Sequence, residues 1–126
     1  MEGYSAKVTY CSKELTAKEK VALKDTSFGV QLDEATKDNN GIVISPLYYA
    51  VIEIHNERGE DKDYKKYVVV DRAGERYVTG SQSFFESFVD IFDDMAGEEE
   101  EWAITVYRVP SKNYKGKEFL TCSIVL

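Results

Sequence analysis

The sequence predicts a mainly β fold with some α-helix, in the form of a five-stranded antiparallel barrel with one helix between its third and fourth strands. Three observations predict it: short segments alternate polar and apolar residues, one longer segment repeats apolar residues at helical spacing, and turn-forming residues separate these segments. A chain of 126 residues is about the length of one domain. We therefore expect a single domain over residues 1–126, with an N-terminal extension over 1–45 and the barrel core over 46–126.

The N-terminal extension contains a predicted strand, a helix and a loop. Residues 4–10 alternate in polarity, which is typical of a half-buried strand. Thr16-Ala-Lys-Glu19 has capping-box spacing, so a short helix is expected over 16–24. Alternation over 28–32 indicates a further short strand, and the turn-forming residues of 33–41 predict a loop.

The barrel core is predicted from five segments that are rich in β-forming residues. A hairpin is expected around Asp71-Arg-Ala-Gly74, because glycine accepts the positive φ angle that such a turn requires. The predicted strands cover 48–55, 65–71, 75–80, 101–109 and 117–126, and a short apolar run at 42–44 precedes them.

Residues 83–96 form the clearest predicted helix. Their apolar residues fall on one stripe, Ser83 and Glu86 have capping-box spacing, and Gly97 is placed to end the helix. The pattern predicts a buried aromatic face and an opposite, acidic face in water. The stripe consists of Phe84, Phe88, Ile91, Phe92 and Met95.

Charge is unevenly distributed along the chain, whose net charge is −7. Residues 81–101 contain eight acidic and no basic residues, whereas residues 102–126 contain four basic residues and one acidic residue. The average excludes a uniformly basic nucleic-acid-binding protein, but a local patch keeps its own field because charges are screened beyond about 8 Å. No apolar run is long enough for a membrane span and no secretory signal is present, so we expect a cytoplasmic protein with reduced thiols at Cys11 and Cys122.

The segment Pro110-Ser-Lys-Asn-Tyr-Lys-Gly-Lys117 is the first candidate binding site. Single-stranded nucleic acid is bound by cations along its phosphates and by aromatic rings on which bases stack, each stack contributing about 1–3 kcal/mol. The segment supplies both kinds of group, although a hairpin kept soluble by lysines is an equal alternative. The candidate residues are Arg108, Lys112, Tyr114, Lys115 and Lys117.

A second aromatic and basic cluster lies on the predicted second and third strands. Five strands with one helix between the third and the fourth are the order of the OB barrel, which binds oligonucleotides on the face of strands 2 and 3. The cluster is therefore predicted to contribute to the same surface as the lysine-rich segment. It consists of Lys65, Lys66, Tyr67, Arg76 and Tyr77.

Catalytic and metal-binding patterns are lacking in the sequence. His55 is the only histidine and no nucleophile motif stands near it. The two cysteines have no zinc-ligand spacing, and no glycine-rich phosphate loop is present. The sequence therefore predicts a protein that is not an enzyme and that has no cofactor and no metal site.

The stretch YVTGSQSFFESFVDIFDDM, with WAITVYRVPSKNYKGKEFLTCSIV after it, resembles OB-fold single-stranded DNA-binding proteins of bacteriophages and bacterial mobile elements. The resemblance implies non-enzymatic, largely sequence-independent binding of single-stranded DNA in replication or recombination, with replication or recombination proteins as further partners. One alternative is an inhibitor of a host nucleic-acid-binding protein, with the acidic helix face and Glu98 to Glu101 as a charge mimic. Another is an assembly protein that forms homo-oligomers through sheet edges.

Overall fold

The computed structural model describes residues 4–25, 29–37, 41–57, 63–95, 97–98, 101–110 and 118–125. Contacts divide the chain into two compact units, a first unit of Met1–Gln31 with Leu47–Gly80 and a second unit of Leu32–Pro46 with Ser81–Leu126. Each unit takes residues from both sides of the predicted boundary between residues 45 and 46. The division into an N-terminal extension and a core therefore does not describe how the contacts are arranged.

The protein is mainly β with some helix, as the sequence predicts. The elements are β1 (Tyr4–Cys11), α1 (Ala17–Lys24), β2 (Val30–Gln31), α2 (Leu32–Ala35), β3 (Ile42–Ile44), β4 (Pro46–Asn56), β5 (Asp63–Asp71), β6 (Arg76–Thr79), α3 (Gln82–Met95), β7 (Ile104–Pro110) and β8 (Glu118–Ile124).

The strands form two sheets, and neither closes on itself within the described residues. The five-stranded sheet has the order β1-β4-β5-β6-β2, and the three-stranded sheet has the order β3-β7-β8. The larger sheet is mixed, because β2 runs parallel to β6 while the pairs β1–β4 and β5–β6 are antiparallel. The predicted closed antiparallel barrel is therefore not shown.

The core of the first unit lies on one face of the five-stranded sheet. Alternate residues of β4 point into it together with Val68, Val70 and Val78 from the next two strands, and Leu23 of α1 covers them. The helix begins at the predicted capping box: Thr16 Oγ1 accepts from the Glu19 amide at 3.2 Å, and Glu19 Oε1 accepts from the Thr16 amide at 3.0 Å.

A β-bulge in β1 changes which face its last residues occupy. Val8 is opposite Ile52, but Tyr10 is opposite Val51, so the register shifts between the two positions. As a result Tyr10 leaves the core face that simple alternation from Val8 assigns to it. Its side chain is 53% exposed.

The second unit is built around an aromatic row on α3. Phe84 and Phe88 are fully buried, Phe92 follows Phe88 at 5.6 Å between ring centroids, and Trp102 lies 5.9 Å from Phe92. The buried stripe is as predicted, but the predicted cap is not. Ser81 Oγ accepts from the Phe84 amide, whereas Ser83 Oγ donates to the carbonyl of Leu120.

Two other local predictions need correction. Leu32 was expected to continue a strand, but it begins the four-residue helix α2, so the segment 33–41 is not all loop. β2 itself contains only Val30 and Gln31, and Phe28 lies outside the described residues. In contrast, Gly74 and Gly97 have φ angles of 88° and 90°, which agrees with their predicted positions after a hairpin turn and a helix.

Candidate nucleic-acid interface

The first predicted site is only partly within the described residues. The segment 111–117, which carries Lys112, Tyr114, Lys115 and Lys117, lies outside them. Arg108 is described, and its guanidinium is engaged inside the second unit: Nε donates to Thr36 Oγ1 at 3.1 Å and Nη2 donates to the carbonyl of Asp33. The guanidinium of Arg108 therefore holds α2 against β7 instead of facing a ligand.

The second predicted cluster is divided between the two faces of its sheet. Val68 is opposite Val78 and Val70 is opposite Arg76, so residues with even numbers on both strands share the core face. By alternation Lys66 and Arg76 belong to that face. The opposite face carries Lys65, Tyr67 and Tyr77, so the five residues do not form a single surface.

The two aromatic side chains of this cluster, Tyr67 and Tyr77, are buried and half-buried, respectively. Tyr67 is only 8% exposed, so the prediction that a base stacks on it is wrong for this conformation. Tyr77 is half-buried and its hydroxyl donates to Asp71 Oδ2 at 3.3 Å. Burial, followed by the Asp71 carboxylate, raises the pKa of Tyr77. Arg76 Nη1 donates to the carbonyl of Ala22 at 2.7 Å, near the C-terminal end of α1.

A basic groove that the sequence analysis did not single out runs between β1 and α1. It has a volume of about 320 Å³, and we call it the lysine groove. Among the described residues, four lysines and no acidic residue line it, so these side chains give it a positive local field although the protein is acidic. Its lining residues are Lys7, Val8, Thr9, Tyr10, Cys11, Lys13, Leu15, Lys20 and Lys24.

Local structure explains how the lysines meet. Lys20 and Lys24 are four residues apart on α1 and so lie on one face of the helix. Lys7 is exposed on β1, and among the described residues none of these three side chains has an ion-pair partner. Lys13 differs, because its Nζ lies 2.8 Å from Glu19 Oε2 and 4.7 Å from the ring centroid of Tyr48. The hydrogen bond to Glu19 raises the pKa of Lys13 and keeps it charged.

Two neighbouring grooves share a lysine with the lysine groove. Lys7 also lines a groove of about 380 Å³ beside His55, and Lys13 also lines a groove of about 510 Å³ beside Tyr48. The three grooves together contain seven of the described cationic side chains of the first unit, distributed over both faces of the five-stranded sheet, and we call this set the basic track. Its members are Lys65, Lys7, Lys20, Lys24, Lys13, Arg72 and Arg76.

Tyr10 supplies an exposed aromatic ring in the lysine groove. Its ring centroid lies 5.6 Å from that of Tyr49, at an interplanar angle of 35°, so one side of the ring is supported by the protein.

The sequence signal for the lysine groove was the group of five lysines between residues 7 and 24, against two acidic residues there. The exposure of Tyr10 could not be predicted, because no sequence pattern indicates the β-bulge that exposes it.

His55 lies between two carboxylates in the groove that Lys7 and Lys65 also line. Its Nδ1 is 2.7 Å from Asp63 Oδ1, and its Nε2 is 3.7 Å from Glu57 Oε1. The hydrogen bond with Asp63 is the main cause of the raised pKa of His55. Within the described residues, no group of three or more histidine, cysteine, aspartate or glutamate side chains is arranged to hold a metal ion.

No protein-family model matches this chain, and no curated protein and no solved structure matches it. In the part of the chain that the structure describes, no helix is both long enough and apolar enough to cross a membrane.

Proposed function

We propose that the protein is a non-enzymatic, largely sequence-independent single-stranded DNA-binding protein that binds DNA through cations of the basic track. The observation that supports the proposal is the lysine groove, a concave surface whose described lining contains four lysines and no acidic residue. Cations in such a groove bind phosphates and release the counterions that surround the strand. The groove contacts no particular base through these lysines, so the binding is sequence-tolerant.

Tyr10 favours single strands over duplex DNA. A ring that is half exposed beside phosphate-binding lysines offers a stacking surface, and only an unpaired base can present its face to it. The proposal does not need a closed barrel, because the groove belongs to the outer strand β1 and to α1. A role in the replication or recombination of a phage or mobile element follows from the resemblance of the second half of the sequence.

The test is the anisotropy of fluorescein-labelled oligo-dT, titrated with the full chain over a range of salt concentrations. We expect affinity to fall steeply with salt, and the variant with Lys20→Gln and Lys24→Gln to lower the salt slope by about 0.7 for each phosphate that the protein no longer neutralises. Lys18→Gln is the matched control, because Lys18 lies on the same helix and does not line the groove. Absence of binding at low salt, or equal effects of the two changes, contradicts the proposal.

The charge of the second unit favours a second candidate function, namely a charge mimic that inhibits a nucleic-acid-binding protein. Acidic side chains of α3 line a shallow surface with Phe85 and Val89. In this case the chain competes with DNA for a basic partner, and the competition is lost when Glu86, Asp90 and Asp93 are replaced by their amides. The lysine variants leave that competition unchanged, so the same set of proteins separates the two functions.

A further inference from the structure

The groove beside Tyr48 has features that strand binding alone does not explain. It lies within the first unit, between α1, the start of β4 and the β5–β6 hairpin, and we call it the Tyr48 groove. Its volume of about 510 Å³ lies within the range of small-molecule sites, which is about 300–1,000 Å³.

The hydroxyl of Tyr48 has no hydrogen-bond partner among the described residues, although the residue is only 9% exposed. Among the described residues, no fully buried polar side-chain atom lacks a partner, and Tyr48 lines the groove. Burial is the main cause of the raised pKa of Tyr48, so the hydroxyl keeps its proton and can donate it to a ligand.

The two acidic residues of the groove are already satisfied. The carboxylate of Glu19 accepts from Lys13 Nζ and from the Thr16 amide. Asp71 Oδ1 accepts from the amides of Ala73 and Glu75, and its Oδ2 accepts from Tyr77. Both carboxylates therefore have hydrogen-bond donors within the protein, and the groove also carries Lys13, Arg72 and Arg76.

Donors and an apolar wall face the same space. Lys13 lies over the ring of Tyr48, and Arg72 at the hairpin turn forms no ion pair with a described residue. Leu47, which is 49% exposed, lines the groove together with the buried Leu23 and Val70. The combination suits an anion that carries an apolar or aromatic body, since an inorganic ion uses only part of the space.

We propose that the Tyr48 groove binds the phosphate group of a nucleotide, with the Tyr48 hydroxyl, Lys13 and Arg72 as phosphate donors and with the base against Leu47. The ligand is a free mononucleotide or the phosphorylated end of a DNA strand, because both present the same group. The site goes beyond the proposed function, since it stands whether or not internal phosphates bind along the lysine groove.

The test is calorimetric titration of the full chain at low salt with dTMP, with thymidine and with inorganic phosphate. We expect dTMP to bind more tightly than phosphate and thymidine not to bind. Tyr48→Phe is expected to weaken dTMP about tenfold to a hundredfold, as for a hydrogen bond to a charged group. It should leave the thermal midpoint of the unliganded protein unchanged, because the hydroxyl has no hydrogen-bond partner among the described residues. Tyr107→Phe is the matched control, because the Tyr107 hydroxyl is 2.6 Å from Ser123 Oγ in the second unit, and this change should leave dTMP binding as it is.

A comparison of oligo-dT with and without a 5′-phosphate identifies the source of the ligand. A phosphate-dependent gain that Tyr48→Phe abolishes indicates the strand end, whereas dTMP binding without such a gain indicates the free nucleotide. Equal binding of dTMP by Tyr48→Phe and the unchanged protein, or no dTMP binding at all, overturns the site. If dTMP binds while unphosphorylated oligo-dT does not, the site stands and the proposed function falls.

Discussion

The two units of the protein differ in secondary structure and in charge, since the first combines the five-stranded sheet with α1 and the second the three-stranded sheet with α2 and α3. The first unit contains eleven basic and eleven acidic residues, whereas the second contains five basic and twelve acidic residues and so carries the whole net charge of −7. Low overall charge in the first unit does not prevent a positive groove, because its acidic residues lie elsewhere or are already hydrogen-bonded. The net charge of a chain therefore says little about a binding surface that occupies one part of it.

The two longer helices, α1 and α3, differ in the interactions that stabilise them. α3 buries Phe84 and Phe88 completely, and its stability comes from this apolar face. α1 buries only Leu23 among its own residues, leaves Val21 70% exposed, and is held at its start by a capping box. α1 is therefore largely exposed and presents Lys20 and Lys24 on its surface, whereas α3 contributes its aromatic face to the core of its unit.

The largest expected effect separates these two helices. Phe88→Ala should lower the free energy of unfolding by about 3–5 kcal/mol, because it removes a fully buried ring. Val21→Ala on α1 should change it by less than about 0.5 kcal/mol, since the side chain is exposed. Chemical denaturation followed by circular dichroism measures both, and similar values for the two variants contradict the comparison.

The next effect concerns the stacking surface of the first unit. Tyr10→Ala should weaken oligo-dT binding by about 1–3 kcal/mol without changing the salt slope, because a ring and not a charge is removed. The control in the second unit is Tyr107→Ala, whose ring is half-buried and whose hydroxyl is 2.6 Å from Ser123 Oγ. Anisotropy titrations measure the affinity of both variants for oligo-dT. If Tyr107→Ala weakens binding as much as Tyr10→Ala does, the bases do not stack specifically on Tyr10.

A third expectation uses the two thiols as reporters, one in each unit. Cys11 lines the lysine groove, so bound oligo-dT should slow its alkylation by iodoacetamide several-fold, as measured by mass spectrometry. Cys122 is buried, and burial raises its pKa to about 12, so it should react slowly with and without DNA. Unchanged reactivity of Cys11 at saturating DNA places the strand outside the groove.

The smallest expected effect is on the pH dependence of stability. The pKa of His55 is raised in the folded state, so its contribution is fully present below the ordinary value of 6.5 and is lost as pH rises through the folded value. The thermal midpoint should therefore fall slightly between pH 6 and the weakly alkaline range, about pH 8. In the His55→Gln variant the thermal midpoint should no longer fall over this pH range. If it falls as in the unchanged protein, another group causes the pH dependence.

Much of the secondary structure could be predicted because its causes are local. The capping box at Thr16, the positive φ of Gly74 and the stripe that includes Phe84 and Phe88 depend on residues within one or two turns of each other. The correction at Ser81 shows the limit of such signals. Ser81 and Ser83 both have a hydroxyl that could cap the helix, and local sequence does not distinguish them. In the structure Ser81 caps the helix, and Ser83 donates to the carbonyl of Leu120, which is 37 residues away.

Several of the predicted site residues that the structure describes do not lie where a ligand could reach the predicted surface. Tyr67 and Arg108 have the side chains that bind nucleic acid, but Tyr67 is buried and Arg108 is bound by α2. Lys65 and Arg76 do belong to the basic track, although they stand in different grooves. The roles of the residues at 111–117 stay predictions.

The sequence by itself determined most strands, the helices α1 and α3, the acidic face of α3 and the supply of lysines and tyrosines, because these follow from residue type and short-range spacing. Only the tertiary structure decided how the strands divide into two sheets, which rings are exposed, and where the cations meet. A single bulge between Val8 and Tyr10 is enough to turn a ring from the core towards solvent. Such outcomes depend on pairings between distant residues, and several arrangements of those pairings are compatible with the same local pattern.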